Sequence, residues 1–368
     1  MKSQESNLRI PGPTPVPPEV LAAMARPMIN HRGPEFTALL EEVTAGLRLV
    51  FGAQGDILTF PGSGTGGLEA AIVNTLSPGD RVLSVSIGHF GDRFARIASD
   101  FGADVTHLDF PWGQAAKPAA VAQRLKADPS IKAVLVTHNE TSTGVANDVR
   151  AIAQVVRQTP ALLIVDAVSS LAALPLPADE WGLDVVVTGS QKALMVPPGL
   201  ALVSMNGRAW QANKTARMPR HYWDFAAAKK SQDKGQTPYT PAVSLLFALA
   251  ESLSMIRAEG LPEVYARHHA VAEYTRKGVK ALGLSLLADL AHASDSVTAV
   301  CLPEGINGKA LLSRMDEEHH VVLAGAQGKL DGKVFRIGHL GWVHLPDLEN
   351  ALSALSVVLR QLGHPLPG

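Results

Sequence analysis

Cysteine is nearly missing from this chain: Cys301 is the single one in 368 residues. That count excludes an intrachain disulfide and a cysteine-ligated metal cluster, and it suits a reducing compartment, with the cytoplasm as default. Long hydrophobic runs are missing too, since no segment approaches the roughly eighteen uncharged apolar residues that a membrane helix needs. The start, "MKSQESNLRIPGPTPVPPEV", is polar and then proline-rich, with no apolar signal segment, so a soluble protein is expected. Neither sign of charge is in excess. Thirty-three Lys and Arg against 34 Asp and Glu leave a net charge of -1, so no global field favours nucleic acid or an anionic membrane, and small-molecule partners are expected. There is no internal repeat, and the proline cluster from Pro11 to Pro18 reads as an extended arm lying across a surface.

The composition, 46% hydrophobic and 18% charged, suits a globular protein with a large core and room for more than one domain. From Glu35 to Phe51 the apolar residues Phe36, Leu39, Leu40, Val43, Leu47 and Val50 recur at helical spacing. Short apolar runs then follow at 56–60, 81–86, 104–110, 132–138, 161–168, 184–189 and 200–205, most of them separated by helix-like stretches. Strands that are apolar on both faces and alternate with helices indicate an α/β domain with a mostly parallel sheet covered on each side. Beyond Pro241, two long helical patterns, a strand "SVTAVCL", a helix "NGKALLSRMDEEHH" and a strand "KVFRIGHL" suggest a smaller α+β domain. The expected organisation is an arm at 1–20, a large domain at 21–255 and a small C-terminal domain at 256–368.

One glycine loop stands out. "FPGSGTGGL" satisfies G-x-G-x-x-G at Gly62, Gly64 and Gly67, after a strand and before a helix, the layout in which backbone N–H groups and a helix N-terminus meet a phosphate. A dinucleotide site also wants a carboxylate at the end of the next strand, but that strand ends "SVSIGHF", and Asp80 lies at its wrong end. A Walker loop would need Lys-Ser or Lys-Thr after the glycines. A nucleotide, a purely structural turn and a smaller phosphate ligand therefore all remain open, with Ser63 and Thr65 as hydroxyl donors in the last case.

Asp166 ends the apolar run "ALLIVD", where an unpaired carboxylate would be costly to bury. Lys192 in "VVVTGSQKALMVPPG" lies just past the next strand, enclosed by apolar sequence. Each has an ordinary reading, as a turn cap and as a surface lysine. Together with a phosphate-holding loop they form a set that pyridoxal phosphate requires: an anion for a protonated ring nitrogen and an amine able to form a Schiff base, all at strand carboxyl ends.

The stretches "GSGTGGLEAA", "THNETSTGV", "LLIVDAVSSLAALPL" and "VVVTGSQKALMVPPGLALVS" resemble the class V pyridoxal-phosphate aminotransferases, in the branch of the alanine–glyoxylate and serine–glyoxylate (serine–pyruvate) enzymes. The likeness runs from "IPGPTPVPPEVL" to "KVFRIGHLG", essentially the whole chain. It implies the type I fold of pyridoxal-phosphate transferases, aspartate aminotransferase-like, with a mostly parallel seven-stranded sheet in the large domain. It implies Lys192 as the lysine that carries the cofactor and shuttles protons, and Asp166 as partner of the ring nitrogen. Ser63, Gly64, Thr65 and Gln191 would hold the phosphate. Phe90 would stack on the ring where the family often has tryptophan, Val168 would pack on the other face, and Thr141 would meet the ring hydroxyl. Arg336 would clamp the substrate α-carboxylate, and Gly12 in "PGPTP" would border the substrate pocket. Tyr239 and Thr240 are implied to reach the phosphate of a second subunit, so a homodimer with shared active sites is expected.

The implied reaction is ping-pong transfer of an amino group from alanine or serine to glyoxylate or pyruvate. Aspartate or phosphoserine donors remain alternatives, with Arg32 in "NHRGPEF" the residue that would favour aspartate. Sulfur removal from cysteine needs a mobile exposed thiol, whereas Cys301 lies in a strand-like run. A nicotinamide-dependent dehydrogenase lacks its ribose carboxylate. No metal is expected: His268 and His269, like His319 and His320, are adjacent residues in helical patterns, read as solvated or helix-terminal.

Overall fold

A computed structural model of the chain describes residues 6–367. Its centre is a seven-stranded sheet formed by Asp56–Gly62, Arg81–Ser86, Asp104–Asp109, Ala133–Thr137, Leu162–Asp166, Val185–Gly189 and Gly199–Met205. In space these run 56–62, 199–205, 185–189, 162–166, 133–137, 81–86 and 104–109. The strand 199–205 is antiparallel to both of its neighbours, and the remaining pairings are parallel.

The runs expected from the sequence become strands because they can be buried on both faces. Alternate residues go to opposite sides: Val134, Val136, Leu163 and Val165 join one apolar layer, and Ala133, Leu135, Leu162 and Ile164 join the other. The edge strand Asp104–Asp109 has no buried residue along its length, and the other edge, Asp56–Gly62, is partly exposed. The helix Pro34–Phe51 buries Phe36, Leu39, Leu40, Val43, Leu47 and Val50 in the first layer, starts at a proline and stops at Gly52 in the left-handed conformation.

The second core gathers around the antiparallel sheet of Val297–Cys301, Val334–Gly338 and Ala324–Gly325, with helices Leu261–Ala281, Gly308–His319 and Leu345–Gln361. The last helix was not assigned from sequence. Residue 255, the expected boundary, falls inside helix Val243–Glu259, whose apolar face belongs to the large core. Within the next helix, Val264 still packs on the large core while Val271 belongs to the small one. A continuous helix thus spans the change of core.

The proline-rich segment does not lie across a surface. Asn7–Leu8 pairs in parallel with Val321–Val322 of the small core, and Arg9, Pro11 and Thr14 are buried. Thr14 then bonds the chain at Gln191 and Lys192, through its N–H to the first carbonyl at 3.1 Å and its hydroxyl to the second at 2.9 Å. The segment is a strap joining both cores at the lysine.

Candidate active site

Strand polarity assembles the site. Because the strands 56–62, 81–86, 133–137, 162–166 and 185–189 run the same way, the residues that follow them converge beyond one edge of the sheet, where open α/β proteins bind ligands. That edge collects the glycine loop, His89 and Phe90, Asn139 to Ser142, Asp166 and Lys192.

Ser63 caps the helix Gly64–Thr75, its hydroxyl accepting from Gly66 N at 3.3 Å, while its carbonyl accepts from Gly67 N. The first N–H groups of a helix have no intrahelical acceptor, so Gly64 and Thr65 present theirs outward. Gly64 is required by packing, because a Cβ there would lie 2.5 Å from Val168 Cγ2. The ring of Trp223, not foreseen from sequence, covers Gly62 and Gly66. Gln191 adds a buried side-chain oxygen with no partner, and a Cβ on Gly189 would stand 2.8 Å from it and 3.2 Å from Gly64 N. The free backbone donors at this helix N-terminus fit a phosphate group, to which only the nitrogen end of the Gln191 amide could add a donor.

Asp166 is 4% exposed, and its Oδ1 accepts from Val168 N at 2.9 Å. Burial pushes its carboxyl up to about 7, opposed by that hydrogen bond and assisted by the negative charge of Glu140. Lys192 moves the other way. Burial, and next the Arg336 charge, bring it down to about 8 against the pull of Asp166. Its amino group donates to the Pro11 carbonyl, and Gly12, at φ +109°, leaves room for it: a Cβ would sit 2.7 Å from Nζ. A buried acid and amine with displaced pKa values, beside a phosphate cradle, fit pyridoxal phosphate, whose ring nitrogen, aldehyde and phosphate need those three partners.

Glu140 escaped the sequence reading. It is fully buried, and its Oε2 accepts from Phe90 N and Gly91 N, both at 3.0 Å, while Oε1 accepts from Ser142 N at 3.0 Å and Ser142 Oγ at 2.6 Å. The signal was present, since a carboxylate just beyond the apolar run "AVLV" raises the question asked of Asp166. Through Glu140 the start of helix His89–Asp100, and with it Phe90, is tied to the loop that carries Thr141.

Arg336, 7% exposed, reaches that loop from the small core. Its Nε and Nη2 donate to the Gly325 carbonyl at 2.9 and 2.6 Å, and Nη1 donates to the Thr141 carbonyl at 3.3 Å. A guanidinium has five donors, so one N–H remains on each terminal nitrogen, the pair suited to a carboxylate. Asn139 ties the cores again, its amide donating to Ser169 and Ser296 hydroxyls at 2.8 Å each.

Ser63, Gly64, Thr65, Phe90, Thr141, Asp166, Val168, Gln191, Lys192, Arg336 and Gly12 thus gather at one place. Tyr239 and Thr240 do not join them within one chain. Tyr239 stacks on Tyr222 at 5.3 Å, Tyr222 meets Trp223, and only Trp223 touches the glycine loop; Thr240 is exposed. Arg32 is exposed and turned away, donating to Gln236 Oε1 and the Thr237 carbonyl. His268 is a correction. It is fully buried with its pKa pushed down to about 4 chiefly by burial, near Val264 O through Nδ1 and accepting from Gly341 N through Nε2. Its ring faces the junction of the cores, which helical periodicity alone does not reveal. Among the described residues no group of three or more His, Cys, Asp or Glu side chains could hold a metal, and no helix is long and apolar enough to cross a membrane.

This fold and these side chains define a pyridoxal-phosphate enzyme of fold type I. The model of the family described as aminotransferase class-V matches residues 7–330. The chain is 46% identical to the "soluble hydrogenase, small subunit" of Synechococcus sp. over 97% of its own length and 94% of that protein's. It is 40% identical to the L-aspartate–glyoxylate aminotransferase of Paracoccus denitrificans, covering 99% of this chain and 93% of the relative. The crystal structure of an alanine–glyoxylate aminotransferase from Nostoc sp. superimposes with a TM-score of 0.94 at 32% identity, covering 98% of this chain and 97% of the other. The chain belongs to the class V aminotransferase family, and it is an aminotransferase.

Proposed function

We propose that this enzyme moves the amino group of a small amino acid, alanine or serine, to a small 2-oxo acid, glyoxylate or pyruvate. Supporting it are the names of the relatives above, glyoxylate aminotransferases among them. The observation that carries it is the placement of Lys192 and Asp166 beside Arg336, whose two free N–H groups can donate to one carboxylate. Pyridoxal phosphate, when bound, supplies an electron sink and a carrier for the amino group.

This chain's residues do the rest. Asp166, with one oxygen held by Val168, offers the other to a ring cation, and that cation reverses the upward push of burial on its carboxyl. Lys192, unprotonated in part near neutrality, takes the proton from the substrate α-carbon at Nζ and later returns it. Arg336 fixes the α-carboxylate so that the Cα–H bond faces that amine. Gln191, Ser63 and the N–H groups of Gly64 and Thr65 hold the phosphate, and Phe90 and Val168 enclose the ring. The reading further includes a homodimer, in which Tyr239 and Thr240 serve the partner's phosphate, and a cytoplasmic location. The strap, the large core and the small core are its three parts.

Visible absorbance tests the reading. The band of the cofactor-loaded protein is expected to fall on adding L-alanine or L-serine and to return on adding glyoxylate. A band indifferent to both donors would reject the donor assignment. The rate of capture of pyridoxal phosphate by the cofactor-free protein also has a defined pH dependence. Only the neutral amine attacks an aldehyde, so capture is expected to rise with pH and level off above about 8. A rise continuing towards the ordinary lysine range would contradict the environment described for Lys192.

A further inference from the structure

Arg93 is a half-buried guanidinium at the mouth of the site, and the described ion pairs do not include it. It lies one helical turn beyond His89 and Phe90 on helix His89–Asp100, which puts all three side chains on one face. Its carbon centre stands 4.9 Å from the centroid of the Phe90 ring, and Nη2 lies 3.3 Å from His89 Nε2. The neighbouring carboxylate, Asp92, is taken by Ser86 Oγ at 2.5 Å. None of Arg93's nitrogens is among the buried polar atoms lacking a partner, so its free donors face open space.

The opposite wall of that space is the small-core loop that anchors Arg336. A Cβ on Gly328 would lie 3.9 Å from His89 Nδ1, and Gly325 of the same loop supplies the carbonyl gripped by Arg336. Burial and the Arg93 charge hold His89 below the usual histidine range, so near neutrality it is uncharged and can accept from Arg93 rather than repel it. The Arg93 charge is felt at Lys192 and Asp166, and that of Arg336 at Lys192 and His89, as expected for two arginines facing one opening. A half-buried cation without a counter-ion is best satisfied by an anion that arrives with the ligand.

Building on the aminotransferase reading, we infer that Arg93, oriented by His89, takes the side-chain carboxylate of a dicarboxylic amino donor while Arg336 takes its α-carboxylate. A guanidinium fork matches a carboxylate in two hydrogen bonds, and a lysine would not reproduce that geometry. The donor class then includes acidic amino acids with short side chains, selected by this arginine rather than by Arg32, which is committed to Gln236 and Thr237.

Two measurements on the cofactor-loaded protein decide it. In the first, calorimetry compares succinate with acetate. Wild type is expected to bind succinate about tenfold or more tightly, and Arg93→Met, which keeps side-chain bulk beside Phe90 without charge, is expected to erase the difference. In the second, kcat/KM is measured for L-aspartate and L-alanine. The aspartate-to-alanine ratio should fall at least about tenfold in Arg93→Met and recover in part in Arg93→Lys. Equal binding of succinate and acetate by wild type, or an unchanged ratio in Arg93→Met, overturns the inference. If neither aspartate nor alanine alters the visible band, the alanine part of the donor assignment fails, and the succinate comparison still judges Arg93.

Discussion

Replacing Lys192 by alanine is expected to lower turnover by roughly four orders of magnitude or more, since it removes both the amine that carries the cofactor and the base that moves the α-proton. The fold should persist. Lys192 belongs to no ion pair among the described residues, and the bonds that fix its neighbourhood are made by backbone: Thr14 Oγ1 to the Lys192 carbonyl and Met195 N to the same carbonyl. The variant should therefore bind pyridoxal phosphate reversibly, through the phosphate cradle and Asp166. Dialysis after loading would strip the cofactor from the variant and leave it on wild type. Near-normal turnover in the variant would reject the assignment of Lys192.

Asp166→Asn is expected to separate stability from activity. In the cofactor-free protein the carboxyl at about 7 stands well above its ordinary range, so the folded state holds a proton that the unfolded chain has already released. The sign follows: as pH rises from about 4 to about 7 this group makes folding progressively less favourable, and above 7 the penalty is complete. An asparagine carries no such penalty. Without cofactor, Asp166→Asn should therefore melt higher than wild type at pH 8, and the gap should narrow towards pH 4. Activity should fall by about three orders of magnitude, because a neutral amide cannot hold a cation opposite it in a site that excludes water. Loading should also stabilise wild type more than the variant at pH 8. Thermal melts of both proteins, with and without cofactor, test every part. A variant that melts lower than wild type at pH 8 without cofactor would contradict the buried, unpaired state of Asp166.

The sheet was legible because its physics is local. Runs such as "LLIVD" and "VVVTG" are short, rich in β-branched residues and without a polar face, which favours strands covered on both sides, and their order with intervening helices makes most of them parallel. The antiparallel strand Gly199–Met205 has the same composition as its neighbours, and only its place between Asp56–Gly62 and Val185–Gly189 sets its direction. The residues proposed to hold the cofactor were legible for a related reason: Asp166 and Lys192 are charged groups at the ends of apolar strands, where chemistry is the usual cause of the expense. Glu140 belonged to that pattern and was overlooked. Arg93 could not be read in the same way, since an arginine on an amphipathic helix is ordinary until the structure shows that no carboxylate among the described residues pairs with it.

By itself, the sequence determined the α/β core with its two apolar layers and the placement of a glycine loop, Asp166 and Lys192 at strand ends, because burial and strand polarity follow from residues near one another in the chain; the likeness of its motifs to class V aminotransferases implied the roles. Only the tertiary structure decided that Arg336 reaches the Thr141 loop while Arg32 turns to Gln236 and Thr237, that the N-terminal strap closes on Lys192, and that His268 lies buried where the two cores meet. Those outcomes rest on contacts between segments far apart in sequence, such as Pro11 with Lys192 and Thr141 with Arg336. No periodicity within a single segment encodes them, since each depends on how separately formed elements pack together.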